Sequence, residues 1–351
     1  EEITARRAFP KRKKNLMTGP IILDVSTETF PYREPFRISG HLFTETEVVL
    51  VTLSDGEHSG RGEAAGAYYL GDDKAKMLAD IETVRGEIEA GASREQLQQL
   101  LPHGGARNAL DCAWWELEAK ASGTPVWQLA GLPSEPKPLL TTITLGAQDP
   151  EIMAEKAARL TDFKALKLKL TGDAEMDYAR VNAVRAARPE CWIGVDANQG
   201  YKIDGLAVLV DVLLENGVQL LEQPLARGRE RDLDGFERRM PFAADESALC
   251  LADVDAMVGR FDVLNIKLDK CGGLTEGLAI ARRAKELGMG VMVGNMMGSS
   301  LSMAPSFIVG QLCDVVDLDG PTFLDQDRSP AVEYSDGNIW CPAELWGMRA
   351  A

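Results

Sequence analysis

Histidine is the scarcest functional residue in this 351-residue chain: it occurs only as His41, His58 and His103. The remainder of the sequence therefore has no histidine to serve a Ser-His-Asp hydrolase or a three-histidine zinc site. Cysteine is present six times, but no two cysteines stand at CxxC spacing. A zinc ribbon and a thioredoxin-type motif are excluded, and scattered cysteines in apolar runs read as small buried hydrophobes in a reducing compartment. No apolar run reaches the length of a membrane span; residues 205–214 come nearest and are interrupted by Asp211. The N-terminus lacks the apolar core of a signal peptide. Positive charge is in deficit, with 54 acidic against 38 basic residues and a net charge of −16. That balance speaks against a nucleic-acid surface and for solubility, and a cytoplasmic protein is expected. The basic cluster 11–14 reads as a solvated tail, and Met17 as an internal start, with residues 1–20 an extension. No Walker or Rossmann fingerprint, sequence repeat or low-complexity tract is present.

What is present falls into two parts. Residues 21–134 read as a mixed α+β domain. Residues 48–53 form an apolar strand closed by the turn Ser54-Asp55-Gly56, expected to pair antiparallel with 21–29. Residues 107–122 read as an amphipathic helix with Leu110, Ala113, Trp114, Leu117 and Ala121 on one side, stopped by Gly123. From 135 to 330 the pattern changes to short apolar strands alternating with helices. Strands are expected at 139–145, 165–170, 192–195, 219–221, 242–244, 263–268, 290–293 and 315–318. Eight alternating units predict a closed parallel barrel, with 331–351 returning to complete the first domain.

Barrel enzymes carry their reactive groups at the C-terminal ends of the strands. Those ends hold Lys167 and Lys169, Asp196, Glu222, Asp245, Lys267, and Asp317 with Asp319. The intervals from Asp196 to Glu222 to Asp245 each match about one βα unit, so the three carboxylates come from adjacent strands and converge. Three carboxylates without histidine or cysteine make a hard oxygen site, for which one Mg²⁺ per subunit is the expected ion. Lys167 and Lys169 are two residues apart and share a strand face; Lys267 comes from the opposite wall. A cation between opposed lysines suits removal of a proton α to a carboxylate, with one lysine working from each face. The basic lysine must be neutral, so a depressed pKa is expected, driven by the Lys167–Lys169 pair and the metal. Taken singly, each of these signals has an ordinary reading. A strand-end acid is often a helix cap and a KxK pair an exposed strand face.

The stretches Lys167-Leu-Lys169, Val195-Asp-Ala-Asn198, Leu221-Glu-Gln-Pro224, Ala244-Asp-Glu-Ser247 and Asn265-Ile-Lys-Leu-Asp-Lys-Cys-Gly-Gly273 resemble the enolase superfamily. Within it, they resemble the muconate-lactonising-enzyme subgroup, and Arg107-Asn-Ala-Leu-Asp-Cys-Ala-Trp114 resembles a helix of that family's capping domain. The resemblance implies a modified (β/α)7β TIM-like barrel under an α+β capping domain. It implies Asp196, Glu222 and Asp245 as Mg²⁺ ligands, and Lys169 and Lys267 as acid/base catalysts. The absence of a barrel histidine separates the chain from the mandelate-racemase branch. Asp317-Leu-Asp319-Gly-Pro resembles the aspartate pair with which dipeptide epimerases hold the substrate's α-ammonium, with Lys167 also at the substrate. The implied activity is epimerisation of a small dipeptide, of the L-Ala-D/L-Glu type found in murein-peptide metabolism. N-acylamino-acid racemisation, o-succinylbenzoate synthesis and muconate cycloisomerisation are the neighbouring reactions. Members that accept a C-terminal glutamate present an arginine from a capping-domain loop. The loop expected at 39–46 has none; Arg37 just before it, His41 within it or a barrel lysine such as Lys167 would have to meet a glutamate carboxylate, or else the pocket favours another side chain, with Leu42 and Phe43 as its apolar lining. A homo-oligomer is compatible with this reading; a nucleic-acid or membrane partner is not.

Overall fold

The computed structural model describes residues 20–38 and 41–349. The expected extension therefore lies outside the described residues up to 19, and Ser39 and Gly40 lie outside them too. The N-terminal domain is a three-stranded antiparallel sheet of β1 (Ile22–Ile38), β2 (His41–Ser54) and β3 (Ser59–Ala64). The expected pairing is present, with Glu28 opposite Val48 and Leu23 opposite Leu53. The segment expected to be a loop at 39–46 is instead largely strand. β1 and β2 continue to Ile38 and His41 as a long hairpin whose register shifts between Pro31 and Phe36. Such a bulge bends the ribbon and re-aims its side chains. Here it directs Phe36, Ile38 and Phe43 toward the mouth of the barrel.

The helix Gly105–Ser122 lies across β3. Its approach requires glycine: a Cβ on Gly60 or Gly62 would stand 2.1 Å from the Ala113 carbonyl oxygen or 2.0 Å from that of Ala109. The helix ends as expected at Gly123, whose left-handed conformation lets its N–H close the last turn.

Eight parallel strands follow, in spatial order equal to chain order: β5 (Thr142–Leu145), β6 (Ala165–Lys169), β7 (Trp192–Asp196), β8 (Leu220–Glu222), β9 (Phe242–Ala244), β10 (Val263–Ile266), β11 (Gly290–Val293) and β12 (Val315–Val316). Helices cover the outside, and the end away from the cap is plugged by Trp192, Leu220, Val263 and Met292. The first expected barrel strand divides at Thr141. Its leading part, β4 (Leu139–Leu140), pairs with the C-terminal hairpin β13 (Glu333–Ser335) and β14 (Asn338–Trp340). The last expected strand shortens to two residues because Asp317 and Asp319 are diverted to the seam with β5. Thr142 donates its hydroxyl to Asp317 (2.6 Å), the Thr144 N–H donates to Asp319 (2.6 Å), and the Leu318 N–H donates to the Thr141 hydroxyl (3.0 Å). Side chains close this barrel where main-chain pairing between β5 and β12 is lacking among the described strands.

The cap is fastened to the barrel next to Lys267. Arg107 donates to the carbonyls of Cys271 (2.6 Å) and Gly272 (3.2 Å) and pairs with Glu276. Asp111 accepts from the N–H and hydroxyl of Thr275, at 2.9 and 2.6 Å. From the C-terminal end, buried Trp346 donates its indole N–H to the Arg61 carbonyl. Among the described residues no helix is long and apolar enough to cross a membrane.

Arg107→Met would leave the carbonyls of Gln98, Leu101, Cys271 and Gly272, together with Glu276, without their cation in a largely dry interface. A loss of about 3–5 kcal/mol is expected, the scale on which breaking a buried pair acts. A lowered urea midpoint checks it; a midpoint equal to wild type would show the docking to be energetically idle.

Candidate active site

The site is built from strand register. Lys169, Asp196 and Glu222 stand side by side in one row across β6, β7 and β8. Lys167, two residues before Lys169, points to the same interior face, while Leu166 and Leu168 pack into the outer core. Asp245 follows β9, and Lys267 follows β10, four strands from Lys169 in an eight-stranded ring. Asp196, Glu222 and Asp245 are buried, and each offers an oxygen within 4.8 Å of the others.

Lysines sit on those oxygens. Lys169 Nζ is 2.6 Å from Asp196, Lys167 Nζ is 2.7 Å from Glu222 and 2.8 Å from Asp317, and Lys267 Nζ is 2.7 Å from Asp245. Burial alone would push these acids up and these lysines down. The pairing overturns both trends at most positions. Asp196, opposed in burial by Lys169 and Lys167, is held below its usual range, and Asp245 is driven further down by Lys267 and Lys270. Lys267 and Lys167 are raised, since Asp245, and for Lys167 first Asp317, outweigh desolvation. Glu222 is the exception: burial and then the Asp196 charge raise it to about 7. The donor set fits a hard divalent cation, because three buried carboxylates bring one oxygen each within 4.8 Å of the others with no histidine or cysteine among them, and a cation there takes the oxygens the lysines now hold.

Above this floor lies a cavity of about 340 Å³. Asp317 and Asp319 line its floor, and Phe36, Ile38, Phe43, Tyr68 and Tyr69 from the cap line its roof together with Met296 and Met297. Burial, and then Asp317, raise Asp319 to about 6. Glu246, buried beside Asp245, has an oxygen without a hydrogen-bond partner and is raised to about 8 by burial and then by Asp245.

Residues 21–131 match the N-terminal domain of mandelate racemase / muconate lactonizing enzyme, and residues 152–345 match the enolase C-terminal domain-like family. The chain belongs to the mandelate racemase / muconate lactonizing enzyme family of the enolase superfamily. It is 36% identical over 315 residues to the L-Ala-D/L-Glu epimerase of Escherichia coli K12, covering 90% of this chain and 98% of that one. An enolase family member from Agrobacterium tumefaciens with homology to dipeptide epimerases, solved with sodium and L-Ala-L-Glu, superposes with a TM-score of 0.90. It is 40% identical, over 93% of this chain and all (100%) of that one. A dipeptide epimerase from Methylococcus capsulatus, complexed with Mg and L-Arg-D-Lys, superposes at 0.84 with 29% identity, over 94% and 99% of the two chains.

For this enolase-superfamily chain, the structure brings together Lys167, Lys169, Asp196, Glu222, Asp245, Lys267, Asp317 and Asp319. It does not bring Arg37 to them. Arg37 lies between Phe36 and Ile38, which face the cavity, so strand alternation turns its side chain to the exposed side. His41 is also exposed, against the rings of Phe43 and Tyr68. The cap's lining cation is Lys74, ion-paired with Glu47. In the metal-free site Lys167 and Lys267 stand above the usual lysine range, because the acids around them, Asp317 first for Lys167 and Asp245 first for Lys267, outweigh burial; the expected depression of the catalytic lysine belongs to the metal-loaded site.

Two contributors escaped the sequence reading. Asn265 donates to Glu222 at 2.8 Å, and Lys270 donates to Asp245 at 2.6 Å. Spacing from Lys267 holds the signal: Asn265 is two residues back on the same strand face, and Lys270 is one helical turn ahead.

Glu222 must be ionised to act as a ligand, so protons compete with a divalent cation below about pH 7. Isothermal titration should show Mg²⁺ affinity weakening by up to about tenfold per pH unit below 7 and levelling above it. An affinity unchanged from pH 8 to pH 6 would contradict the raised value.

Proposed function

We propose that this chain is a Mg²⁺-dependent dipeptide epimerase, of the L-Ala-D/L-Glu type, that inverts the α-carbon of the C-terminal residue with Lys169 and Lys267. The observation that carries this reading is the placement of two lysines on opposite barrel walls, with three carboxylates between them. Bound at those carboxylates, Mg²⁺ supplies positive charge where the substrate's carboxylate gains electron density.

The chain's own residues do the rest. Lys169, once neutral, takes the α-proton from one face, and Lys267, as its ammonium, returns a proton to the other; the reverse epimer uses the same pair with roles exchanged. Proton transfer needs both heads to leave Asp196 and Asp245, the partners they hold at 2.6 and 2.7 Å. Lys167 is buried against Glu222 and Asp317, which suits it to hold charge and orientation at the floor. Asp317 and Asp319 together give the floor two anions for a substrate ammonium, a match that a neutral N-acyl group cannot make. Tyr68, Tyr69, Phe43 and Met297 exclude water above the α-carbon. Lys74 is the residue on the cap that would receive a glutamate side chain, by exchanging its half-exposed Glu47 partner. Six free cysteines accord with a cytoplasmic setting.

Lys169→Ala and Lys267→Ala should each abolish epimerisation, while each retains α-proton exchange with D₂O for one epimer, and the two variants should favour opposite epimers. Proton NMR of the separate epimers reads this directly. Normal epimerisation by either variant would remove the two-base scheme.

The substrate reading is tested with L-Ala-L-Glu, its N-acetyl form and L-Ala-L-Leu. Asp319→Asn should raise KM for the free dipeptides by about 10- to 150-fold, the range of a charge-assisted bond worth about 1.5–3 kcal/mol. Lys74→Ala should raise KM for L-Ala-L-Glu and leave L-Ala-L-Leu unchanged. Equal turnover of free and acetylated substrate would transfer the assignment to N-acylamino-acid racemisation.

A further inference from the structure

The three carboxylates share a pattern. Each has one oxygen on a cavity-floor lysine and its second oxygen on a different donor. Asp196 Oδ2 faces Lys169 at 2.6 Å, while Oδ1 accepts the Asn198 N–H at 2.9 Å. Glu222 Oε2 faces Lys167 at 2.7 Å, while Oε1 accepts from Asn265 Nδ2 at 2.8 Å. Asp245 Oδ2 faces Lys267 at 2.7 Å, while Oδ1 accepts from Lys270 Nζ at 2.6 Å.

The second set of donors is held in place by its own surroundings. Lys270 is 1% exposed, and its ammonium also donates to the carbonyls of Asp245 (2.6 Å), Asn265 (2.9 Å) and Ala248 (3.1 Å). Asn265 is buried on β10, and the Asn198 N–H belongs to a turn held at a positive φ of 42°. The lysines of the first set line the open cavity instead.

We propose that Lys270, Asn265 and the Asn198 amide are positioning groups that restrict each carboxylate to one available oxygen, and that this restriction makes the site select Mg²⁺ over Ca²⁺. The inference rests on the metal reading of the three acids given above. Its physical basis is the difference between the two ions. Mg²⁺ takes six ligands in near-ideal octahedral geometry and is satisfied by single oxygens plus water or substrate. Ca²⁺ takes six to eight and gains from carboxylates that present both oxygens. An oxygen that accepts one hydrogen bond keeps a second lone pair, but its donor fixes the rotation of the carboxylate, so turning both oxygens onto one ion strains that bond. Lys270 and Asn265 thus act on the ion through Asp245 and Glu222 without touching it, as outer partners of metal ligands do.

The test is the ratio of dissociation constants for Ca²⁺ and Mg²⁺, measured by isothermal titration on the full chain at one pH above 7. The ratio cancels any loss that a damaged fold or altered charge imposes on both ions alike. Asn265→Ala removes a lock without changing charge, and Lys270→Met removes one together with its charge. In each, the ratio Kd(Ca²⁺)/Kd(Mg²⁺) should fall about tenfold or more, the scale of outer-partner effects on metal sites. A ratio within about twofold of wild type in both variants would overturn the proposal. Should either variant fail to fold, crystals of the wild type soaked with Mn²⁺ decide it. One oxygen from each carboxylate on the ion, with Lys270 still on Asp245 Oδ1, supports the proposal. A two-oxygen Asp245 with Lys270 displaced overturns it. Absence of any divalent binding by wild type would instead defeat the metal reading itself.

Discussion

Charge neutralisation in a dry barrel mouth governs this molecule. Asp196, Glu222, Asp245 and Asp317 are all at most 4% exposed, and each stands within ion-pair distance of a lysine. An ionised carboxylate without a partner in such surroundings carries a desolvation penalty of several kcal/mol. The lysines offset that penalty, and they are also the groups suited to move protons. Chemistry and stability therefore draw on the same pairs. A cation arriving at the carboxylates changes the partners of all of them together, which is why metal, proton and fold are coupled here.

The turn after β10 concentrates this coupling. Lys267 and Lys270 hold the two oxygens of Asp245. Between them, Asp269 accepts from the N–H groups of Ala65 and Gly66, each at 2.9 Å, in the cap segment that leads to Tyr68 and Tyr69. Immediately beyond, the carbonyls of Cys271 and Gly272 receive Arg107 of the cap helix. The lysine proposed to transfer a proton, the proposed partner of Asp245, the support of the cavity roof and the docking of the cap are thus set within six consecutive residues. Cap and barrel cannot shift independently at this point without disturbing the floor.

The eight-strand plan and the convergence of acids were legible because both depend on local signals: apolar runs of strand length, and acids placed where those runs end at βα intervals. Three things were not legible. The seam strand was read as longer than it is, because Leu318 continues the apolar pattern; only the fold shows the carboxylates of Asp317 and Asp319 crossing to Thr142 and Thr144, while the Asp317 N–H still donates to the Val293 carbonyl. Arg37 was drawn toward the substrate by its nearness in sequence to the mouth, but parity along β1 decides its side, and parity is not visible until Phe36 and Ile38 are known to face inward. The roles of Asn265 and Lys270 depend on which carboxylate oxygen each one reaches, a three-dimensional fact with no one-dimensional trace.

Two lysines on opposite walls confine proton exchange to one carbon, the α-carbon next to the free carboxylate, and carry it through both faces if the proposed epimerisation is right. Incubating L-Ala-L-Glu with the wild-type chain and Mg²⁺ in D₂O, followed by proton NMR, tests it most directly. The expected outcome is loss of the glutamate α-proton signal, growth of the L-Ala-D-Glu resonances already deuterated at that carbon, and an unchanged alanine α-proton. Exchange at alanine, or inversion with the original hydrogen wholly retained, would contradict it.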